Sequence, residues 1–321
     1  MELGLYFDLR NPEPWRRPWS EVYARALDLI VEAERLGADS AWFSEHHMFD
    51  DGYLPQPLVM AAAAAARTSR ITLGTAVLLA ALRPPMLVAE EAAVVDQLSS
   101  GRLQLGIGAG YVVTEYEAYG TDITRRYSLT DAALSEIRRL LDHGVVTPPP
   151  VQRPFPLWLG YQGPQGARRA GRLGVGLLSL DRSLLDPYRG GLVEGGHDPA
   201  IARTGGMLDI IVADDPEAAF ERILPHYAHQ LNSYRAAAAA GTDRPAPKEI
   251  TVEKLRAGVS ATGQIPGLRV LDVAGAVAAI RSATEGAPVE HVYLWASVAG
   301  MPDDLVERHI ELVCTQVRPK L

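Results

Sequence analysis

Eight short apolar segments, separated by helical patterns, run through the 321 residues and constrain the fold most strongly. Each segment is rich in β-branched, leucine or aromatic residues, which is typical of strands. Strands that alternate with helices indicate parallel βαβ units, and eight such units predict a single-domain (β/α)₈ TIM barrel over residues 1–321. The predicted strands are 3–9, 40–44, 70–79, 102–108, 156–160, 175–180, 207–213 and 291–295.

Helical periodicity fills most of the sequence between these strands. Ser20 is the predicted N-cap of the first helix, and Pro225 is predicted to break or kink the long sixth one. Residues 241–270 are polar and rich in Gly and Pro, so we expect a long loop over one barrel mouth. The predicted helices are 19–37, 57–69, 85–101, 129–144, 164–174, 214–241 and 303–321.

A doubly wound open sheet is the alternative to a barrel. Its dinucleotide fingerprint requires three glycines at fixed offsets after the first strand. The segment "GIGAG" (106–110) lacks the third glycine at the required position. The barrel is therefore the preferred prediction.

Charge and composition exclude several classes of function. A net charge of −8 with no basic run argues against a nucleic-acid partner. The longest apolar run, 59–66, is too short to cross a bilayer, so no membrane association is expected. No targeting segment is visible at the N-terminus, and a cytoplasmic location is the expectation. A single cysteine, Cys314, excludes an intrachain disulfide and any Cys-based zinc site.

The segment "AWFSEHHMFD" (41–50) places reactive side chains directly after the second strand. In a barrel, active-site residues lie at the carboxyl ends of the strands. Adjacent residues on an extended strand point to opposite sides, so His46 and His47 are poorly placed to bind one ion, and no metal site is predicted. We interpret His46 as the functional residue, His47 as a residue that braces the loop, and Glu45 as a structural partner.

A second candidate site is the turn in "WLGYQGPQGARRAG" (158–171), between the fifth strand and the next helix. The first free N–H groups of a helix, together with its dipole, favour an anion. Pro164 at an early helical position fits a helix start. An ordinary strand-to-helix turn is the alternative interpretation.

Three blocks of the sequence, 36–47, 71–120 and 156–179, together with the C-terminal stretch 290–321, resemble the luciferase-like flavin-dependent monooxygenases, the superfamily of bacterial luciferase. The resemblance is co-linear over most of the chain. It implies a (β/α)₈ barrel that binds reduced FMN supplied by a separate flavin reductase. It also implies reaction with O₂ to a flavin C4a-peroxide, which oxidises a small, apolar organic substrate, and a homodimer.

The resemblance also assigns site residues. The family's active-site histidine falls on His46, for proton transfer near the flavin peroxide or for orienting that adduct. An imidazole suits proton transfer because its ordinary pKa lies near the working pH. The stretch "GTAV" (74–77) resembles the family's non-proline cis peptide beside the flavin ring, which predicts a cis bond at Ala76–Val77.

The remaining cofactor-binding residues implied by the resemblance follow the fourth and fifth strands. Gly108 belongs to the glycines that end strand four. The phosphate-binding turn falls on Tyr161, Gln162 and Gly163, with Gln165 on the first turn of the helix.

Two departures weaken the expected phosphate site. Bacterial luciferase carries an arginine where this sequence has Ala109, so a cation for the flavin phosphate is lost. Many relatives have a serine where this chain has Gly163. Backbone N–H groups of the turn would therefore contribute more of the phosphate binding.

Two other functions stay open. A deazaflavin-dependent oxidoreductase of the same superfamily would transfer hydride without O₂, although "EHH" resembles the FMN branch more closely. A non-catalytic flavin-binding relative is the other alternative. For the substrate, Trp15, Trp19, Met48 and Tyr53 are candidates to line an apolar pocket, with packing under loops as an equal interpretation.

Overall fold

The computed structural model describes residues 1–262 and 267–321. The strands are β1 (Glu2–Phe7), β2 (Ser40–Phe43), β3 (Thr72–Thr75), β4 (Leu78–Leu79), β5 (Leu103–Gly108), β6 (Leu157–Leu159), β7 (Gly176–Leu178), β8 (Thr204–Leu208), β9 (Ile210–Val212), β10 (Arg269–Leu271) and β11 (Val289–Trp295). The helices are α1 (Trp19–Leu36), α2 (Pro57–Ala65), α3 (Pro85–Ser99), α4 (Val113–Ala118), α5 (Arg126–Asp142), α6 (Gly163–Arg172), α7 (Leu185–Glu194), α8 (Pro216–Ala239), α9 (Val252–Thr262), α10 (Val273–Thr284) and α11 (Asp303–Leu312).

A closed parallel sheet forms the centre of the molecule. Its order is β3-β2-β1-β11-β8-β7-β6-β5-β4, and β3 also pairs with β5, which closes the ring. Because β3 and β4 both pair with β5, they act as one interrupted stave, and the described residues form an eight-stave barrel. The predicted (β/α)₈ fold is confirmed, and all staves point the same way, so their carboxyl ends meet at one mouth.

The predicted strand 207–213 is wrong in its extent. The barrel stave is β8, which begins earlier, at Thr204. The chain leaves the barrel at Asp209, whose carboxylate accepts a hydrogen bond from Trp295 Nε1 at 2.8 Å and whose carbonyl accepts one from the Arg269 N–H. Beyond it, β9 pairs with β10 in a separate two-stranded parallel sheet.

The long loop predicted over 241–270 is also wrong, because this region contains α9 and β10. Leu255 is buried on α9, and Arg256 of the same helix forms a 2.7 Å ion pair with Glu221 on α8. The helix was not predicted because its apolar pattern is short and the surrounding sequence is rich in Gly and Pro. The part of the prediction that falls on residues 263–266 lies outside the described residues.

Several helix ends differ from the prediction. The N-cap of α1 is Pro18 rather than Ser20, and α8 continues through Pro225 as one element. Beyond α11 the chain goes on as a π-helical turn and a 3₁₀ turn. Besides α9, the sequence pattern missed three helices in the described residues, α4, α7 and α10. No helix in residues 1–262 or 267–321 is both long and apolar enough to cross a membrane.

Aromatic side chains fill the barrel interior away from the mouth. Trp42 stacks on Tyr293 at 4.8 Å between ring centroids, and Trp158 meets His291 edge-on at 5.1 Å. A Cβ on Gly74 or Gly176 would lie within 2.4 Å of these indole rings, so the two glycines leave the space that the rings occupy. The part of the barrel interior away from the mouth is therefore a packed core rather than a channel.

Candidate functional site

A cavity of about 330 Å³ lies at the barrel mouth, where the carboxyl ends of several staves meet. It joins residues from the loop after β2, the gap between β3 and β4, and the segments after β5 and β6. Its lining residues are Tyr6, Ser44, Glu45, His46, Tyr53, Ala76, Val77, Leu79, Ala109, Gly110, Tyr111, Tyr127, Gly160, Tyr161 and Gln162. Three predicted cofactor residues, Ala76, Tyr161 and Gln162, thus lie in the same cavity as His46.

The imidazole of His46 is held by a buried carboxylate. Its Nδ1 lies 2.9 Å from Oε1 of Glu115 on α4, and the same oxygen accepts the backbone N–H of His47 at 2.7 Å. Because an ionised carboxylate only accepts hydrogen bonds, Nδ1 is assigned as the donor. Nε2 forms no hydrogen bond with the described residues, and it is therefore the ring nitrogen left for a ligand or a proton.

The second histidine has different partners, as predicted. His47 Nε2 lies 2.8 Å from Oε1 of Glu45, and its Nδ1 lies 3.3 Å from the hydroxyl of Tyr119. Glu45 also forms a 2.8 Å ion pair with Arg83 and accepts the N–H of Leu79. His47 and Glu45 therefore connect the loop after β2 to the neighbouring stave, and their purely structural roles stay a prediction.

The peptide bond between Ala76 and Val77 is cis, as predicted. This bond separates β3 from β4 and lies on the cavity wall. Gly108, the last residue of β5, does not line the cavity but packs behind this wall. A Cβ at Gly108 would lie 2.2 Å from a methyl carbon of Val77, so the absence of a side chain allows this approach.

The turn that follows β6 brings Tyr161 and Gln162 to the cavity. Tyr161 points its hydroxyl away from the cavity, toward α5, where it donates to Asp131 Oδ1 at 2.9 Å. Gln162 is the N-cap of α6, and Gly163 has a φ of +72° that favours glycine. Gln165 is exposed on the first turn of α6 and does not line the cavity.

A second cavity of about 520 Å³ continues from this turn. It shares Tyr161 and Gln162 with the first cavity and adds Gly163, so the two spaces adjoin at the turn. Beyond the turn its walls are mostly apolar. Its other lining residues are Leu178, Ser179, Leu180, Asp181, Leu184, Gly206, Met207, Leu208 and Ala283.

Aromatic rings of tyrosines pack against the imidazole of His46. The ring of Tyr53 meets the imidazole edge-on at 4.7 Å, and Tyr111 does so at 5.5 Å. The hydroxyl of Tyr53 lies 3.2 Å from that of Tyr6 and 2.9 Å from that of Tyr234 on α8. This part of the cavity wall therefore consists mainly of aromatic rings, with a few tyrosine hydroxyl groups.

A buried charge cluster supports this wall from behind. The Arg10 guanidinium lies 4.4 Å from the ring centres of both Tyr53 and Tyr234. Its Nη1 donates to Asp51 Oδ2 at 2.7 Å and to Ser233 on α8 at 3.0 Å, and its Nε lies 3.3 Å from Asp8. Arg10 therefore couples the end of β1 to the loop after β2 and to α8.

The two carboxyl groups of the cluster are shifted in opposite directions. Burial raises the pKa of Asp8 to about 6, and the attraction of Arg10 opposes this rise only in part. Burial would also raise the pKa of Asp51, but hydrogen bonds from His229 and Arg10 outweigh it and lower that pKa. Asp8 is thus the member of the cluster that titrates nearest to neutral pH.

Sequence patterns did not identify Glu115, Tyr111 or Arg10. Glu115 sits on a helix too short to show periodicity, and its partner His46 lies 69 positions away. An acid on an otherwise apolar helical face is the one signal that could have marked it. No group of three or more His, Cys, Asp or Glu that could hold a metal occurs in residues 1–262 and 267–321.

Of the four residues suggested for an apolar pocket, only Tyr53 lines this cavity. Trp15 instead stacks against His226 on α8 at 3.8 Å. Trp19 packs over Gly52, where an added Cβ would lie 2.2 Å from its ring, and Met48 is 60% exposed. Trp15 lines a separate, largely apolar cavity together with Phe7 and Met301. Trp19, at the start of α1, and Met48 are both exposed and do not line the cavity beside His46.

Comparison with known proteins identifies relatives of the chain. The family model for luciferase-like monooxygenases matches residues 1–292. An uncharacterised protein of Sinorhizobium fredii is 31% identical over 186 residues, 53% of each chain. The F420-dependent glucose-6-phosphate dehydrogenase of Kineococcus radiotolerans is 30% identical over 224 residues, 61% of this chain and 66% of the relative. Limonene 1,2-monooxygenase of Rhodococcus erythropolis is 30% identical over 184 residues, which cover 52% of this chain and 48% of that relative. The alignments span about half to two thirds of these curated relatives.

Solved structures share the fold over the whole chain. Monooxygenase RslO1 from Streptomyces bottropensis has a TM-score of 0.79 at 21% identity, covering 99% of both chains. The oxygenating constituent of 3,6-diketocamphane monooxygenase from Pseudomonas putida, in complex with FMN, has a TM-score of 0.72 at 20% identity, covering 100% of this chain and 98% of that one. These identities show a common fold alone. Since the family model covers most of the sequence, the chain belongs to the luciferase-like monooxygenase family.

Proposed function

We propose that this protein is an FMN-dependent monooxygenase that uses reduced FMN and O₂ to oxidise a small, largely apolar organic molecule. The observation that carries the proposal is a carboxylate-held imidazole, His46, in a cavity walled by the cis peptide Ala76–Val77. Membership of the luciferase-like family supports it. FMN in a relative with the same fold supports the choice of cofactor.

The size of the cavity supports the proposal. Ligand pockets typically measure about 300–1,000 Å³, and the two adjoining spaces at this mouth fall within that range. We place the ring system beside Ala76 and Val77, opposite the tyrosines. The tail would extend past Tyr161, Gln162 and Gly163 toward the second cavity, with Gln165 nearby on α6. Gly108 would act indirectly, because its lack of a side chain leaves the space in which Val77 packs on the cavity wall.

His46 is the residue that we propose moves a proton. When bound, reduced flavin supplies the electrons with which O₂ is activated. Glu115 fixes the Nδ1 side of the imidazole, so Nε2 can give a proton to, or take one from, a group in the cavity. The carboxylate also stabilises the ring whenever it carries a positive charge.

The aromatic wall supports an apolar substrate. Phe49, Tyr53 and Tyr111 all lie within 5.5 Å of the His46 ring, measured between centroids, so a substrate beside His46 contacts mainly carbon. The tyrosine hydroxyls could orient a single polar group on such a molecule. An anionic substrate would be disfavoured, because no Lys or Arg side chain lines the cavity among the described residues.

A deazaflavin-dependent hydride transfer is the second candidate function. The F420-dependent relative from Kineococcus radiotolerans supports it, at 30% identity over 224 residues. In that reaction His46 would exchange a proton with the substrate's oxygen while hydride moves to or from the cofactor. O₂ would have no part in it.

Anaerobic binding followed by exposure to O₂ separates these functions. The apoprotein is titrated with reduced FMN and with reduced deazaflavin, and the preferred complex is mixed with O₂ while flavin absorbance is followed. The monooxygenase proposal expects FMN binding and O₂ consumption coupled to oxidation of a supplied substrate. Binding of neither cofactor would contradict both enzymes and leave a non-catalytic relative.

Variants of single histidines test the site within the same experiment. His46→Ala should retain flavin binding but slow turnover at least about 100-fold, the usual contribution of a proton-transfer group. His143→Ala is the matched control, because His143 is exposed at the end of α5 and far from any cavity residue in sequence. Full activity of His46→Ala would show that the assignment is wrong.

We also propose two partners, a transient flavin reductase and a second copy of this chain. An exposed apolar stripe on α3, formed by Leu87, Val94 and Leu98, supports a homodimer. Val59 on the neighbouring helix α2 is 66% exposed and extends the same kind of surface. A cytoplasmic location stays a prediction.

A further inference from the structure

The walls of the two adjoining cavities contain no cationic side chain among the described residues. Residues 263–266, outside the described part, contain neither Lys nor Arg, so the sequence leaves no such side chain unaccounted for there. The only charged side chains on these walls are carboxylates and, if protonated, His46. A phosphate at the tail of a bound flavin would therefore meet no opposite charge.

The positions closest to an expected phosphate are small or acidic. Ala109 is buried, and its carbonyl accepts a hydrogen bond from the Tyr116 hydroxyl. Gly163 offers only its backbone, and Pro164 after it has no N–H to donate. Asp181 lines the second cavity and would repel a phosphate dianion.

Arginines near the mouth are directed elsewhere. Arg169 on α6 forms a 2.7 Å ion pair with Asp131 on α5. Arg126 lies over the Tyr127 ring, 4.6 Å from its centre, and its Nη1 contacts only the carbonyl of Ile123 at 3.3 Å. Arg126 and Arg182, which follows the cavity residue Asp181, are thus nearby cations that a bound phosphate could recruit, and the Gln variants of both must be tested directly.

We infer that the site recognises a flavin by its ring system and polyol chain and gains little from the terminal phosphate. Riboflavin would then bind about as tightly as FMN. This inference rests on the proposed flavin site and names the form of cofactor that the site accepts. The free backbone N–H groups and the dipole at the start of α6 favour the phosphate over a hydroxyl group only modestly when no cationic side chain lies beside them.

The test compares dissociation constants of FMN and riboflavin for the apoprotein, from quenching of flavin fluorescence at low and high salt. We expect constants within about tenfold of each other, because only the backbone N–H groups and dipole of α6, and no cationic side chain, distinguish the phosphate from a hydroxyl group. FMN binding should also weaken by less than about fivefold with salt, since no ion pair to the phosphate is screened. FMN binding at least about 30-fold tighter than riboflavin, and weakened by salt, would overturn the inference.

Four variants sharpen the comparison. Arg126→Gln and Arg182→Gln should each leave both constants unchanged, and a selective loss of FMN affinity in either would overturn the inference. Tyr127→Arg places a cation at an exposed position on the cavity wall and should raise the affinity for FMN relative to riboflavin about tenfold. Tyr127→Gln is its neutral control and should not favour FMN.

The outcomes also separate this inference from the proposed function. Strong, salt-sensitive selection of FMN would overturn the inference and leave the monooxygenase proposal standing. Failure of both flavins to bind would contradict the proposed function and, with it, the inference. Equal binding of both flavins supports the two together.

Discussion

The carboxylate of Glu115, fully buried on α4, lies 2.9 Å from Nδ1 of His46 at the end of β2. This pair joins two segments that are 69 positions apart in the sequence. Because the same carboxylate oxygen also accepts the N–H of His47, it fixes both the ring and the backbone that carries it.

Glu115→Gln should slow turnover while leaving flavin binding intact. The amide oxygen can still accept the two hydrogen bonds, but the negative charge that stabilises a protonated imidazole is lost. We expect kcat to fall roughly 10- to 100-fold at an unchanged flavin dissociation constant. Glu117→Gln on the exposed side of the same helix is the control. Equal activities of the two variants would refute the positioning role.

Asp8 should make the protein less stable as pH rises. Its pKa in the folded protein, about 6, lies above the ordinary 3.8, so the folded state binds the extra proton between these values. Stability from this group is therefore fully present below about pH 4 and is lost as pH rises through 6, by up to roughly 3 kcal/mol.

Asp8→Asn removes that dependence and checks the sign. The unfolding free energy of the variant relative to the wild type should increase between pH 4 and pH 7. Denaturant titrations across this range measure the difference. Asp51, whose pKa is lowered, acts in the opposite direction, so Asp51→Asn should be most destabilising at neutral pH. A pH-independent difference for Asp8→Asn would contradict the burial argument.

Arg10→Met should destabilise the fold by about 3–5 kcal/mol, because it leaves buried carboxylates without their cation. The same change removes contacts to α8, since Arg10 donates a hydrogen bond to Ser233 and lies against the ring of Tyr234. Arg16→Met, at an exposed arginine nearby in the sequence, is the control. Urea unfolding measures both. A loss for Arg10→Met no larger than that of the control would show that the cluster adds no net stability.

Gly108→Ala should cost about 1–3 kcal/mol through overpacking, since its Cβ would lie 2.2 Å from a methyl carbon of Val77. Val77→Ala removes that methyl group and should recover part of the loss in the double variant. Thermal unfolding of the two single variants and the double variant forms a complete cycle. Strict additivity would mean that the two side chains do not compete for this space.

Leu98→Glu should convert the proposed homodimer into a monomer. A charge in the centre of an apolar interface is costly to desolvate, whereas the same charge on a free surface is not. Sedimentation velocity measures the change, with Val193→Glu, at an exposed apolar position on α7, as the control. A wild-type protein that is already monomeric at high concentration would refute the dimer.

The barrel could be predicted because its signals are local. Each stave is a short apolar segment between turn residues, and the alternation with helices determines the topology. The end of β8 could not be predicted in this way, since "MLDIIVA" is one apolar run around a single acid. Asp209 ends the stave through contacts with Trp295 and Arg269, which are distant in sequence.

The candidate site was predictable only in part for a similar reason. His46 and the turn at Gln162 follow strands directly, where barrel geometry places reactive groups, and Ala76–Val77 was marked by the resemblance. Glu115 and Arg10 act through partners on other elements, so their importance appears only once the chain is folded. Trp15 lines a different apolar cavity from the one beside His46, because local sequence does not indicate toward which cavity an aromatic side chain points.

The buried indoles of Trp42 and Trp158, which fill the barrel interior below the mouth, limit the routes by which a ligand can enter and leave. With the axis filled, the described residues leave no route through the far end, and every ligand uses the same mouth. We therefore expect the proposed cofactor and substrate to enter and leave through one shared opening, so that whichever binds deeper must bind first and leave last.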